Sequence, residues 1–420
     1  MRLTQNLSFK LLVSFVCLLV PVLNISAQIK SQPYLMSAEI EENERMNRFI
    51  SLKSEAYALI GEYDKAAALY SLEYDTRELA GEKTGELSAE ELAYFQTFQP
   101  KAAIDYILKR AAREQIIIIN EAHHRPLHRV FVETLLPGLH ERGYRYLGLE
   151  ALSSNRKDSL ALGNDTLLNE RGYPLNSYLT GIYTREPQFG NLIRKASRTG
   201  YYVFGYERSG FQPELERDEA EAQNVLKILE KDPDAKILLY CGYAHLVETN
   251  IAEGAANYGK SQWLAGYLKE LTGIDPFTIN QEVLTYRPDS TLSPYYPLIE
   301  TNRPAVLLND EGKLFNGPAG FDKYDALVYH PNAKPVNGRP DWLYRAGAFR
   351  AYTIKKEEAT IACPCLAEAY SEEESDLAVP LDIIEIDPDF KQNTLVLPVG
   401  KYRIVLKNRA GDQQILKVDL

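Results

Sequence analysis

The run Ile116-Ile117-Ile118-Ile119-Asn120-Glu121-Ala122-His123-His124 decides the fold. Four consecutive β-branched residues, with no alternation of polar and apolar positions, mark a short strand buried on both faces. Such a strand needs helices on both sides of its sheet, and the surrounding sequence supplies them. Val130 to Arg142 has helical periodicity and stops at Gly143, and Tyr146-Leu147-Gly148-Leu149 is a second buried strand. A helix near Leu192 to Thr199 precedes a third strand, Tyr201 to Gly205. The charged helix Glu214 to Lys231 precedes a fourth, Ile237 to Cys241. Strand and helix alternating at this spacing predict βαβ units. The expected domain is α/β, a mostly parallel sheet with flanking helices over residues 115–340. Gln262 to Leu271 and the strand Ala326 to Tyr329 complete it.

The flanks differ in texture. Over residues 28–114, Met46, Phe49, Ile50, Leu52 and Ala56 recur at helical spacing, and Gly61-Glu62-Tyr63-Asp64 is a turn before a second helix. Leu59, Gly61, Tyr63, Ala66 and Ala67 look like one tetratricopeptide-type hairpin. A single hairpin cannot stack into a solenoid, so a helical cap packed on the next domain is expected. Residues 345–420 hold the short strands Leu381 to Ile386, Thr394 to Leu397, Tyr402 to Leu406 and Ile415 to Val418. Turns such as Pro398-Val399-Gly400 separate them, which predicts a small antiparallel β domain of sandwich type.

The first residues carry a different message. Arg2 and Lys10 form a basic start, Leu11 to Val22 a short apolar run, and Ala27 a small residue at the expected cleavage point. This is the pattern of a signal peptide over residues 1–27. The run is too short, and too interrupted by Pro21, to span a bilayer. No transmembrane segment is expected after its removal. The expectation is an exported protein, in periplasm, cell envelope or medium. The formal net charge is −11, and loss of Arg2 and Lys10 takes it to −13. An acidic chain without a basic block has no electrostatic reason to hold nucleic acid. Cys363-Pro364-Cys365 is too close a pair for an ordinary bridge, so the core must come from burial and not from disulfides.

The chemistry lies just after the strands. Asn120-Glu121-Ala122-His123-His124 follows the first, Glu150 the second, Tyr206-Glu207-Arg208 the third and Gly242-Tyr243-Ala244-His245 the fourth. In an open parallel sheet, ligands bind outside the carboxyl ends of the strands. The alanine–histidine pair recurs at one offset, Ala122-His123 and Ala244-His245, which nominates these histidines as partners across a site. The catalytic candidates are Glu121, His123, His124, Glu150 and His245. Glu121, His123 and His245 are the candidate ligands of a divalent ion such as Zn²⁺ or Mn²⁺ with an open position for water. Without a metal, a glutamate-polarised histidine can activate water itself. Arg185, Glu207 and His128 are candidate substrate-binding residues. Arg185 belongs to the loop Tyr183-Thr184-Arg185-Glu186-Pro187, placed to lie over the site. The bland alternatives are a solvated loop for the 123–124 pair, a helix-dipole contact for Glu150 and a structural histidine at 245. His330 can approach the same edge, and His140 is explained by its late position in a helix.

The strand followed by Glu-x-His or Glu-x-x-His, a helix, a strand ending in Glu and a late Gly-x-x-His resembles the erythromycin-esterase-like, ChaN-like and Tiki/TraB superfamily. Glu121-Ala122-His123 with Pro126 and His128 looks like the ChaN-type haem-binding proteins. Glu121 with His124 has the erythromycin-esterase spacing, and Gly242 to His245 matches the Tiki/TraB pattern. The resemblance covers residues 115 to 270 and departs at Asn120, where those families usually carry Gly. It implies an esterase or peptidase acting on a small-molecule or peptide substrate. The alternative it implies is haem or iron binding at the envelope. A third expectation makes the flanking domains surfaces for envelope-protein or glycan contacts, around a vestigial site.

Overall fold

The computed structural model describes residues 34–73, 79, 82–152, 165–207, 216–250 and 262–420. The expected signal peptide and Arg208 lie outside the described residues. The chain opens with helices α1 (Ser37–Glu42), α2 (Glu44–Arg48), α3 (Ile50–Leu59), α4 (Tyr63–Glu73) and α5 (Ala89–Phe95). α3 and α4 form the expected hairpin. They turn at Gly61, which has φ 78° and where a Cβ would stand 2.3 Å from the Ile383 carbonyl oxygen. Both the positive φ and this close approach require glycine.

The central domain runs β1 (Gln99–Ala102), α6 (Ala103–Ala111), β2 (Ile116–Glu121), α7 (Leu127–Glu141), β3 (Tyr144–Leu149), α8 (Leu168–Arg171) and α9 (Pro187–Thr199). It continues with β4 (Tyr202–Gly205), α10 (Arg217–Lys231), β5 (Lys236–Gly242), α11 (Leu264–Thr272), β6 (Phe277–Asn280), β7 (Ala305–Leu308) and β8 (Ala326–Leu327). Six strands make one parallel sheet in the order β4-β3-β5-β2-β6-β8. β1 and β7 form a separate antiparallel pair. The isoleucine run is buried on both faces, as its composition demands. Ile117 and Ile119 pack with Ile107, Leu135 and Leu192 of α6, α7 and α9, whereas Ile116 and Ile118 pack with Val225 and Leu268 of α10 and α11.

β2 and β5 sit side by side at the centre, with Ile116 opposite Ile237 and Glu121 opposite Gly242. The chain leaves β2 through α7 towards β3 on one side, and leaves β5 through α11 towards β6 on the other. Their carboxyl ends therefore flank the crevice where an open parallel sheet binds ligands.

β6 is absent from the strands that the sequence pattern predicts. Two of its four residues, Thr278 and Asn280, are polar yet buried, and local partners satisfy them. Thr278 Oγ1 bonds Glu248 Oε1 at 2.5 Å, and Asn280 Oδ1 accepts the Glu282 amide at 2.8 Å. The last sheet strand is also shorter than expected, ending at Leu327 instead of Tyr329.

The remainder holds β9 (Pro335–Val336), β10 (Arg339–Pro340), β11 (Phe349–Thr353), β12 (Cys365–Ser371), β13 (Asp382–Ile386), β14 (Thr394–Pro398), β15 (Lys401–Asn408) and β16 (Gln413–Asp419). β13-β12-β15-β16 is an antiparallel sheet and β11-β14 a second, shorter one. Leu395 and Leu397 of the second sheet pack with Ala367, Ile384 and Ile404 of the first. The helical cap rests on this domain as well as on the α/β domain. Tyr57 and Ile60 cluster with Leu366 and Ile383, and Tyr63 clusters with Val130 of α7. The Cys363 and Cys365 sulfurs are free thiols 3.5 Å apart. Among the described residues, no helix is long and apolar enough to cross a membrane.

Gly148 of β3 tests this packing. A Cβ there would lie 2.5 Å from Leu239 Cδ2, 2.8 Å from Phe204 Cζ and 3.0 Å from Tyr206 Cδ1. Gly148→Ala should lower unfolding stability in urea by about 1–3 kcal/mol through overpacking, with the far-ultraviolet dichroism retained. Full stability would contradict the packing described.

Candidate active site

The end of β2 is locked before its functional side chains begin. Asn120 Oδ1 accepts the Gln281 amide at 2.8 Å, and its Nδ2 donates to the Tyr243 carbonyl at 2.8 Å. One side chain thus ties together the loops after β2, β5 and β6. Glu121 follows, 2% exposed. Arg129 of α7 grips its carboxylate with two bonds, Nε to Oε2 at 2.6 Å and Nη2 to Oε1 at 2.9 Å. Tyr240 donates its hydroxyl to Oε2 at 2.8 Å. His123 Nδ1 stands 2.8 Å from Oε1. Burial alone would raise the Glu121 pKa, but Arg129 and His123 outweigh it and hold the group at about 2. An ionised carboxylate only accepts, so His123 Nδ1 carries the hydrogen in this contact. Arg129 also donates to Glu186 Oε2 at 2.9 Å and to the His123 carbonyl at 2.7 Å.

The second half gathers on Glu150, after β3. Its Oε2 accepts the Gly242 amide at 2.5 Å, and its Oε1 accepts from Arg217 Nη2 at 2.5 Å. His245 Nε2 lies 3.3 Å from the same Oε1, while its Nδ1 is 2.5 Å from Asp218 Oδ1. Burial works against an imidazolium here, but Glu150, Glu221 and Asp218 together push the His245 pKa well above its usual value. Burial would also raise Glu150, and His245 and Arg217 reverse this, holding it well below the usual carboxylate range. Gly242 joins the two halves. A Cβ on it would meet His123 Cε1 at 2.6 Å, Nε2 at 2.8 Å and Glu150 Oε2 at 3.2 Å. His123 and Glu150 therefore share the space over one glycine, with His245 on the far side of Glu150.

The structure brings Glu121, His123, Glu150 and His245 together and redistributes the other expected residues. His124 turns out of the cluster and stacks on Tyr70 of α4, with ring centres 3.7 Å apart. His128 is fully buried behind the edge. Its Nδ1 accepts the Ala122 amide at 3.1 Å and its Nε2 faces Thr285 Oγ1 at 3.1 Å, so it props the loop and cannot reach a substrate. Arg185 is buried too. Its Nε donates to the Ile182 carbonyl at 3.1 Å and its guanidinium lies 4.2 Å from the Tyr178 ring centre. Glu207 pairs with Arg217. His330 faces Gln281 in a separate pocket, and His140 stays on the far helix end beside Gly200. The expected metal set is also revised. Glu121 is engaged by Arg129, Tyr240 and His123, whereas Glu150, Glu221 and His245 bring ligand atoms within 4.8 Å of one another. Both Glu221 carboxylate oxygens are buried without an aligned hydrogen bond, although Arg217 Nε stands 3.0 Å from Oε1.

Several members of the site escape pattern reading. Arg129 and Arg217 lie in the first turns of α7 and α10, where the helix dipole disfavours a cation. That misplacement is the one signal that could have flagged them. The cap contributes as well. Glu55 of α3 feels Arg185 and His123, and burial raises its pKa. Tyr70 meets the Tyr243 hydroxyl at 2.8 Å. Tyr243, at φ 44°, stands edge-on to His123 at 5.0 Å, and Tyr183 of the expected loop stacks on that ring at 3.9 Å. Strained backbone at such a point is typical of functional sites.

No family model matches this chain, and no curated protein matches it. Solved structures that match include the type III effector HopBA1, 12% identical over 56% of this chain and 97% of that one, TM-score 0.35. The MARTX toxin effector domain RRSP of Vibrio vulnificus matches at 18% identity over 57% and 46%, TM-score 0.31. A third covers 88% of this chain and 54% of its own at 8% identity, TM-score 0.30. It is described as the C-terminal region of Pasteurella multocida toxin, with a thiol-protease-like catalytic triad. Scores this low carry no argument about function.

Removing Arg129 would leave two buried carboxylates unpaired. Arg129→Met should destabilise the protein by about 3–5 kcal/mol in denaturant unfolding; a smaller loss than 1 kcal/mol would contradict the ion triad. Glu121 gives a pH signature. Its folded pKa of about 2 lies below the ordinary 4.5, so its stabilisation is complete above 4.5 and lost as pH falls towards 2. The acid-induced loss of stability in this window should be shallower in Glu121→Gln than in the parent.

Proposed function

We propose that this chain is a hydrolase whose Glu/His edge activates water at the carboxyl ends of β2 and β5. The observation that carries the reading is the paired arrangement of imidazoles. His123 is held at Nδ1 by Glu121, His245 is held at Nδ1 by Asp218, and Glu150 stands between them. A histidine oriented in this way presents one defined nitrogen to the reacting atoms. His123 Nε2 takes a proton from water as the oxygen attacks the carbonyl carbon of an ester or amide. His245, kept protonated by its carboxylates, returns a proton to the leaving oxygen or nitrogen. The resemblance to the erythromycin-esterase, ChaN and Tiki superfamily supports the same residues, and the expected signal peptide supports action outside the cytoplasm.

A metal-assisted version rests on its own observation, the ligand atoms of Glu150, Glu221 and His245. Two carboxylates and an imidazole suit Zn²⁺ or Mn²⁺, and the Glu221 oxygens, buried without an aligned hydrogen bond, fit such an ion. When bound, it would supply Lewis acidity and a more acidic water. Haem binding has less support, because His123, His124 and His128 face three different surroundings and both His128 ring nitrogens are engaged.

The test is turnover of ester and peptide libraries by the full chain. His123→Ala and His245→Ala should each lower kcat by about 10²–10⁴-fold, with thermal unfolding retained, whereas His124→Phe should change it little. Activity that survives both alanine variants, or a library without any turnover, overturns the reading. Loss of activity on chelation with restoration by one ion would select the metal-assisted version.

A further inference from the structure

The C-terminal β domain carries a pair of nucleophilic side chains that the Glu/His edge does not use. Cys363 and Cys365 are both free thiols, and their sulfurs stand 3.5 Å apart. Cys365 is the first residue of β12, paired with Ile386 of β13 on one side and Asn408 of β15 on the other. It is fully buried in a core with Ala367, Ile384 and Leu395. Cys363 lies in the loop that leads into the strand, half-buried between the exposed Ala362 and Pro364. Asn408 Nδ2 donates to the Ala362 carbonyl at 3.3 Å and holds that loop against β15. One sulfur is therefore fixed by the sheet, and the other is brought onto it from a position that solvent reaches. Cys241 is buried in the separate core of the α/β domain, which leaves Cys365 as the thiol within reach of Cys363 among the described residues.

The two thiols differ in the way that exchange chemistry requires. Burial and the neighbouring Cys363 push the Cys365 thiol up to about 12, so at neutral pH it stays protonated and out of solvent. The thiolate is the attacking species, and access decides which sulfur is attacked. Cys363 is then the first to react and Cys365 the resolving thiol, the pairing found where an accessible cysteine is poised beside a second one. The bridge they can form spans a single intervening residue. Strain makes such a bond more reducible than a structural disulfide.

We infer that Cys363 and Cys365 form a redox-active dithiol site whose substrate is a small disulfide. The Cys363 thiolate attacks one sulfur of the disulfide, its S–S bond breaks, and one half leaves as a thiolate that takes up a proton. Cys365 then gives its proton to water and attacks the Cys363 sulfur, which releases the second half as a thiol. The two cysteines are oxidised to an intrachain disulfide, and the substrate is reduced to two thiols. An excess of thiol reverses both steps. This inference is independent of the hydrolase reading.

The experiment equilibrates the full chain, without oxygen, in mixtures of reduced and oxidised glutathione. Samples are quenched in acid, unfolded and alkylated, and the peptide carrying both cysteines is weighed. As the oxidised share rises, the doubly alkylated peptide should give way to one that has lost two hydrogens and takes no alkyl group. Excess reduced glutathione should restore the original peptide. Cys365→Ala should instead accumulate a glutathione adduct on Cys363, with thermal unfolding confirming the fold, and Cys363→Ala should leave Cys365 free to be alkylated at every ratio. The inference is overturned if both thiols of the parent are alkylated at every ratio, or if the parent stops at a glutathione adduct. It is equally overturned if the bridge resists excess reduced glutathione, or if Cys365→Ala takes up no glutathione.

Discussion

The site depends on one buried ion triad, Glu121–Arg129–Glu186, with each member no more than 3% exposed. Taking these charges out of water is costly, and apolar residues of similar volume are often as stable or more so. What the triad supplies is geometry. A planar guanidinium with two bonds to one carboxylate fixes that carboxylate's plane, and the Glu121 plane fixes the ring of His123. The third arm of Arg129 holds Glu186, which caps α9 by accepting the Phe189 amide at 2.8 Å. Tyr63 of the cap reaches the same carboxylate at 3.3 Å. A strand end, two helix starts and the cap are thus registered against one another through a single side chain.

Arg217 repeats the device on the other side of the sheet. It bonds Glu150 and Glu207, and approaches Glu221 one turn ahead on its own helix. Both arginines begin helices that follow carboxylate-bearing strand ends. A helix N-terminus would normally stabilise those carboxylates through its dipole alone. Adding a guanidinium there keeps Glu121 and Glu150 ionised despite burial, and this in turn keeps His245 charged and His123 oriented.

The sheet and the location of the site are legible in the sequence because buried parallel strands cannot hide their apolar runs. Ile116 to Ile119 and Ile237 to Cys241 announce themselves, and the polar residues just past them mark the edge. β6 is not legible, since Thr278 and Asn280 break its apolar pattern and only tertiary partners make them acceptable inside. The carboxylate partners of the second histidine are hidden for another reason. Asp218 and Glu221 lie in a helix rich in charge, where nothing local separates a solvated glutamate from one turned inward. The metal set assigned from the sequence suffers from the same blindness: it counts residue types near the edge but not the arginine that has already claimed Glu121.

The adjacent histidines show how much a single turn decides. The Arg125 amide closes on the Ala122 carbonyl at 2.8 Å, so His123 and His124 are the two central residues of a β-turn and their side chains diverge. One joins Glu121 at the strand edge and the other packs on Tyr70 of the cap. Between them stands a wall built by the cap, in which Tyr70 stacks on His124 and its hydroxyl meets that of Tyr243, whose ring stands edge-on to His123. Both rings stand between the two imidazoles. A displacement of α4 would therefore move both histidines at once. The cap is then a structural part of the site, carried on a hairpin whose other face is anchored to the C-terminal β domain.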